Sequence, residues 1–425
     1  MEWLLEAFVH MKARCIGEGA HLSSLEVLKS GIAILLGTLI FFNPFPHTTS
    51  VREICFYLPA AMMLILMILR KVTFSFRSPL WLPLILFTFW SIISTVFALD
   101  VENSIHDLYS HLIRHILFYV MMIYAFSSRR MVVRLSWIMV LSAAILSAGT
   151  IGYFYFLLGN SFSDRLINFD QLPCNRSSLV AGVGMVFALF LLFTSKMRWP
   201  RQALLALCVL ALLVLMILTQ TRGTLVALFV GLVLLFFRHV KVIAGFLIVM
   251  AIVVGTTPIK NRLFDMGTSH PRISTHYRSL EILKDYPVSG IGFGMQIYGR
   301  HPLLSPEKYM SRIPTEYRQY EFFSVPHNML MSIAVRTGLF GFGLFLYLLA
   351  AFVYMCWKLI RNGKDRFTRE WGLCTLSAFV LFCVAGLFEP VFNHGAETIL
   401  FVLMAMGTIL WRINEESGAE MPENP

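Results

Sequence analysis

Twelve apolar runs recur along this chain, at 27–43, 54–70, 79–98, 112–127, 132–157, 177–195, 202–219, 223–237, 239–257, 329–358, 371–388 and 394–412. About 20 helical residues, at 1.5 Å each, cross the roughly 30 Å of hydrocarbon in a bilayer. Backbone groups in lipid must be satisfied internally, so runs of this length are read as helices. The expected fold is an all-α polytopic membrane protein of about twelve transmembrane helices. Composition agrees, with 57% hydrophobic and 14% charged residues, where a soluble domain carries about 25% charged.

Charge sets the expected orientation, because short loops rich in Lys and Arg stay in the cytoplasm. Arg70, Lys71 and Arg77; Arg129, Arg130 and Arg134; Lys196, Arg198 and Arg201; Arg238 and Lys241; and Lys358, Arg361, Lys364, Arg366 and Arg369 all fall in alternate loops. Opposite them, 44–53 holds only Arg52, the 99–111 loop is acidic (Asp100, Glu102, Asp107), and 389–393 has no Lys or Arg. Both termini are therefore expected in the cytoplasm. The net charge of +11 is spread as topology determinants rather than gathered on one face, so it implies no nucleic-acid partner.

The expected domains are a cytoplasmic amphipathic lead-in at 1–26, helices 1–9 over 27–257, a large outward loop at 258–327, helices 10–12 over 328–412, and a cytoplasmic tail at 413–425. Glu2, Glu6 and Glu18, with no small-residue cleavage site, argue against a removable signal peptide. Cys55, Cys208, Cys374 and Cys383 sit within spans and Cys174 in an outward loop, a pattern without disulfide or zinc spacing.

The 258–327 segment far exceeds the other loops, and loops of that length are functional or disordered. Order is expected, as a folded lid. Ile273 to Asp285 has an amphipathic helical pattern, Pro287-Val-Ser-Gly-Ile-Gly-Phe-Gly294 is a turn, and Ser305 to Tyr320 suggests a second helix with aromatic residues on one side.

Arg176 opens the sixth span, and Arg222 interrupts an apolar run in Leu218-Thr-Gln-Thr-Arg-Gly-Thr224. A charge at membrane depth costs several kcal/mol unless paired or hydrated, which marks such residues as functional candidates beside the plainer role of snorkelling anchors. Arginine's planar fork suits phosphate oxygens, so a lipid phosphate or pyrophosphate is the expected ligand. No aspartate pair for Mg²⁺ is visible, and no metal or other cofactor is expected. His327, in Ser324-Val-Pro-His-Asn328, stands where the loop re-enters the membrane. Pro326 fixes that re-entry, Asn328 can bond the ring or cap the helix, and the imidazole is either a general base or an interfacial hydrogen-bonding residue.

Thr219-Gln-Thr-Arg-Gly223, the stretch from Arg272 through Pro287-Val-Ser-Gly-Ile-Gly-Phe-Gly294, and His327-Asn328 followed by Gly338-Leu-Phe-Gly341 resemble, in order and spacing, the O-antigen ligase family and its polymerase relatives. The resemblance implies a GT-C-like fold and a metal-independent, inverting glycosyl transfer at the periplasmic face of a bacterial inner membrane. Undecaprenyl-pyrophosphate-linked O-antigen would be the donor and a sugar hydroxyl of lipid A–core the acceptor. His327 matches the family's catalytic histidine, and Arg176, Arg222 and Arg272 its pyrophosphate-binding arginines, with Asn328 and Gly223 in support. His276 stands where the family often has tryptophan, and Arg278 competes with Arg272. An O-antigen polymerase or a ligase attaching glycan to protein shares these motifs, while a transporter shares the helix number. Transporters usually show internal repeats and midplane sites, which this chain does not display.

Overall fold

A computed structural model of the chain describes residues 24–72, 77–162, 164–170, 172–194, 197–256, 270–320, 322–390, 392 and 395–419. Most of the expected lead-in, the end of the tail and the start of the large loop, 258–269, lie outside these residues.

Every expected span has a helix. In chain order these are α1 (Ser24–Phe42), α2 (Thr49–Ile68), α3 (Trp81–Val96), α4 (Val101–Asp107) running through a π turn into α5 (Arg114–Ala125), α6 (Arg129–Ile151), α7 (Cys174–Thr194), α8 (Trp199–Thr219), α9 (Arg222–Leu235) and α10 (Val240–Thr256). After the large loop come α14 (Met329–Asn362), α15 (Arg366–Gly386) and α16 (Ala396–Ala419), with α11 (His270–Asp285), α12 (Ile297–Arg300) and α13 (Pro306–Met310) in the loop itself. Among the described residues, nine helices are long and apolar enough to cross a bilayer, and α3 and α9 are shorter apolar helices. The protein is an all-α, multi-pass membrane protein. A two-residue antiparallel pair, Asn168–Phe169 with Leu172–Pro173, is a local exception.

The packing fits lipid as solvent. Helices α7 and α16 are the most enclosed, while Ile54, Leu64, Leu82, Phe89 and Leu207 of outer helices are exposed, as a lipid-facing surface requires. Hydroxyls inside the helices bond their own preceding turn, as Thr88 does to Leu84 O at 2.7 Å and Thr375 to Trp371 O at 2.8 Å. Those hydroxyls are thereby not left bare in an apolar setting.

Two expectations change. The acidic 99–111 segment is mostly helix: Asp100 caps α4 by accepting from Asn103 N at 3.0 Å. Its polarity serves the large loop, because Ser104 Oγ accepts from Gly294 N at 3.2 Å and Asp107 Oδ2 from Met295 N at 2.7 Å. Ser305 to Tyr320 is broken rather than one helix, forming α13 (Pro306–Met310) and a 3₁₀ turn at Thr315–Tyr317. Pro314 lacks the N–H that a continuing helix needs.

The loop has its own small core of Ile282, Ile291, Ile297, Tyr298, Leu304, Tyr309 and Val335. Its glycine turn docks into a break in α14. Gly338 sits at φ +71°, and a Cβ there would lie 1.9 Å from Val288 O. Around the break, Leu339 N donates to Pro287 O at 2.8 Å, Ile291 N to Val335 O at 3.0 Å and Gly292 N to Arg336 O at 3.1 Å. The two glycine motifs are thus halves of one joint. Gly338→Ala should undock it, lowering hydrogen-exchange protection at Ile291, Gly292 and Leu339 at least about tenfold, since backbone strain alone costs about 1–3 kcal/mol. Unchanged protection would contradict the joint.

Candidate functional site

Helices alternate in direction, so the ends of α1, α3, α6, α8, α10 and α15 and the starts of α2, α4, α7, α9, α14 and α16 lie on the side of the large loop. Between α7, α9, α15 and loop helix α11 (His270–Asp285), these ends enclose a cavity of about 650 Å³.

Each wall brings one expected residue. Gln220 takes a left-handed backbone (φ 51°) that ends α8, Thr221 is the extended N-cap of α9, and Arg222 follows as the first helical residue. The turn is pinned from behind, with Ser178 Oγ and Thr221 Oγ1 2.6 Å apart. Arg176 enters from the first turn of α7, its Nη2 donating to Asn43 O at 3.3 Å. Arg272 enters from the first turn of α11 and His327 from the re-entry before α14. Gly223 also lines the cavity, but the close approach it allows is to a side chain: a Cβ would meet the Phe388 ring at 2.6 Å.

Two expected residues are not in the lining. Arg278 is 2% exposed and hydrogen-bonded to the carbonyls of Tyr298, at 3.0 Å, and Leu304. Its guanidinium also lies over the Tyr298 and Phe322 rings. Burial holds its pKa below the usual arginine value. It braces the loop, and Arg272, six residues earlier, is the arginine that meets the cavity. Asn328 is the N-cap of α14, accepting from Met331 N at 3.0 Å while its amide donates to Leu387 O at 3.1 Å. Of its two expected roles it takes the cap.

The cavity also contains residues the sequence did not single out. Arg165 reaches it from the segment before α7, its Nε donating to Thr219 O at 2.8 Å. Glu389, after α15, stands with Oε2 3.6 Å from His327 Nδ1 and Oε1 4.0 Å from Arg272 Nη2, and it accepts from Asn175 Nδ2. A basic residue in an outward loop and a lone acid beside Pro390 were the available signals. Among the described residues, four arginines face one carboxylate across the cavity. Burial first, then Arg272 and His327, lowers the pKa of His276, so this second imidazole is held neutral.

His327 is half-buried, packs edge-on against Phe323 at 4.6 Å, and has its Nδ1 buried without a hydrogen-bond partner. At 3.6 Å the Glu389 carboxylate is beyond a hydrogen bond yet within ion-pair reach. The arrangement can bind a multiply charged anion and, within the same cavity, accept a proton.

Fold and cavity together define a multi-pass membrane protein with an arginine-lined anion cavity beneath a folded loop. The family model described as O-antigen ligase matches residues 206–346, about a third of the chain, and over that stretch the chain is similar to the family. The match contains Arg222, Arg272 and His327, while Arg176 and Glu389 fall outside it. That likeness points, in general terms, to glycosyl transfer of the ligase and polymerase type on lipid-linked polysaccharide. No curated protein matches the chain.

Proposed function

We propose that the protein is an O-antigen ligase that transfers O-antigen polysaccharide from undecaprenyl pyrophosphate to a sugar hydroxyl of lipid A–core. The observation that carries this reading is the convergence of Arg165, Arg176, Arg222 and Arg272 with His327 on one cavity. In the transfer, the acceptor oxygen attacks the anomeric carbon as the bond to the pyrophosphate oxygen breaks. The pyrophosphate leaves with the electron pair, and the hydroxyl proton passes to His327. Pyrophosphate needs no protonation to leave; the arginines stabilise the charge that gathers on it. His327 serves as general base, and Glu389 orients its ring and stabilises the imidazolium that forms. The configuration at the anomeric carbon inverts in such a single displacement.

Basic residues crowd the side opposite the loop, which supports cytoplasmic termini and a site facing the periplasm across a bacterial inner membrane. The test is purified protein with undecaprenyl-pyrophosphate glycan and separate acceptors: lipid A–core, a second lipid-linked glycan, and protein. Product on lipid A–core supports ligation, and elongated lipid-linked glycan would make it a polymerase. Glycosylated protein would make it a protein ligase. Movement of glycolipid across vesicles without transfer would make it a transporter. Activity should persist in excess EDTA, because the cavity's arginines oppose a divalent cation and, among the described residues, no group of three or more His, Cys, Asp or Glu could hold one. Loss restored by Mg²⁺ or Mn²⁺ would overturn this.

A further inference from the structure

Behind Arg176 lies a second cavity, of about 330 Å³, on the same side of the protein. It is walled by Asn43 after α1, the first turn of α2, the middle of the fourth span and the first turn of α16, with Arg176 lining both cavities. Its charged and titratable groups are Arg52, Glu53, His111, Arg114, His115, Arg176 and Glu397.

Pairing accounts for only some of them. Arg114 Nη1 meets Glu53 Oε1 at 2.8 Å, and His111 Nδ1 meets Glu397 Oε1 at 2.7 Å. Arg52 and Arg176 have no carboxylate within ion-pair distance among the described residues; Arg52 donates to Thr49 Oγ1 at 3.1 Å and Arg176 to Asn43 O at 3.3 Å. Three buried polar atoms on this one lining lack partners: Arg52 Nε, His115 Nδ1 and Glu397 Oε2. Glu397 is 2% exposed, so its free oxygen cannot turn to bulk water. Buried orphans cost about 1–3 kcal/mol each, and fixed helix ends hold these in place.

We infer that this second cavity binds the headgroup of an anionic membrane phospholipid, with the phosphate on the unpaired guanidiniums of Arg52 and Arg176 and a headgroup hydroxyl donating to Glu397 Oε2. The two arginines supply charge-assisted donors for phosphate oxygens. The free carboxylate oxygen demands a donor, which bare phosphate at neutral pH supplies poorly and a glycerol headgroup supplies well. Arg52 and Glu397 lie in first turns of spanning helices on one side, the level at which lipid headgroups sit. This site shares Arg176 with the transfer cavity but involves neither Arg222 nor His327.

The test measures lipid retention by native mass spectrometry of the intact detergent-purified protein, with phosphatidylglycerol, phosphatidic acid, phosphatidylcholine or inorganic phosphate added separately. Phosphatidylglycerol should be held best, phosphatidic acid less well for want of the hydroxyl, and phosphatidylcholine least. Arg52→Gln should weaken phosphatidylglycerol about tenfold or more, as loss of a charged hydrogen bond does. Should that variant not fold, Arg52→Lys, which keeps the charge but not the fork, should weaken it measurably. Equal retention of phosphatidylglycerol and phosphatidylcholine by the unmodified protein would overturn the proposal. So would undiminished retention by a folded Arg52 variant. Inorganic phosphate competing as well as phosphatidylglycerol would overturn the lipid assignment in favour of a free-anion site.

Discussion

His327→Ala should fold and insert normally yet lose about 10²–10⁴-fold in transfer rate, the usual worth of a positioned general base. The loss should appear in kcat rather than in the KM for the lipid-linked donor, because the proposed mechanism gives the donor's charge to the arginines. Folding should survive: the imidazole is half-buried, its ring contact is with Phe323, and the N-cap of α14 is carried by Asn328. Glu389→Gln should lower kcat in the same direction by a smaller factor, since it removes the carboxylate near Nδ1 while leaving the base in place. A folded His327→Ala protein with unmodified turnover would remove the histidine from the mechanism. A loss confined to donor KM would reassign it to binding.

Arg222→Lys separates charge from geometry. The residue begins α9 directly after a left-handed Gln220 and an extended Thr221. Its side chain therefore leaves from a helix N-terminus, where backbone N–H groups also favour an anion. If the guanidinium clamps pyrophosphate, lysine keeps the charge but loses the paired contact, and transfer should fall about 10–100-fold, the worth of one charge-assisted hydrogen bond. A snorkelling anchor would be served equally well by lysine. The measurement is initial rate at fixed acceptor over a range of donor, after insertion and expression have been matched. Unchanged rate and donor dependence would sink the clamp.

Much of this protein was fixed by patterns of period and charge. Apolar runs long enough to span a bilayer appear as helices because lipid leaves the backbone no other partner, and α1 to α3, α5 to α10 and α14 to α16 fall on the predicted runs. The helical stretch from Ile273 to Asp285 and the glycine turn after it were also legible, since amphipathic spacing and Gly-Pro punctuation are local signals. Where polar residues open a helix to receive the loop, as Val101–Asp107 does, the hydropathy signal failed because those side chains are spent on tertiary hydrogen bonds.

What the sequence could not decide was which charges meet. Arg272 and Arg278 lie on the same short helix with equal chemical credentials, and only packing sends one to the cavity and the other into the loop's interior against Tyr298 and Leu304. Glu389 and His327 are 62 residues apart in a chain of 425 and come together because α14 and α15 pack side by side. Gly338 and Pro287 carry no mark of belonging together until the loop seats in the break of α14. Local sequence determines secondary structure and insertion through backbone satisfaction in lipid. The site depends on long-range packing, which selects a few of many arginines and histidines and places them in one cavity.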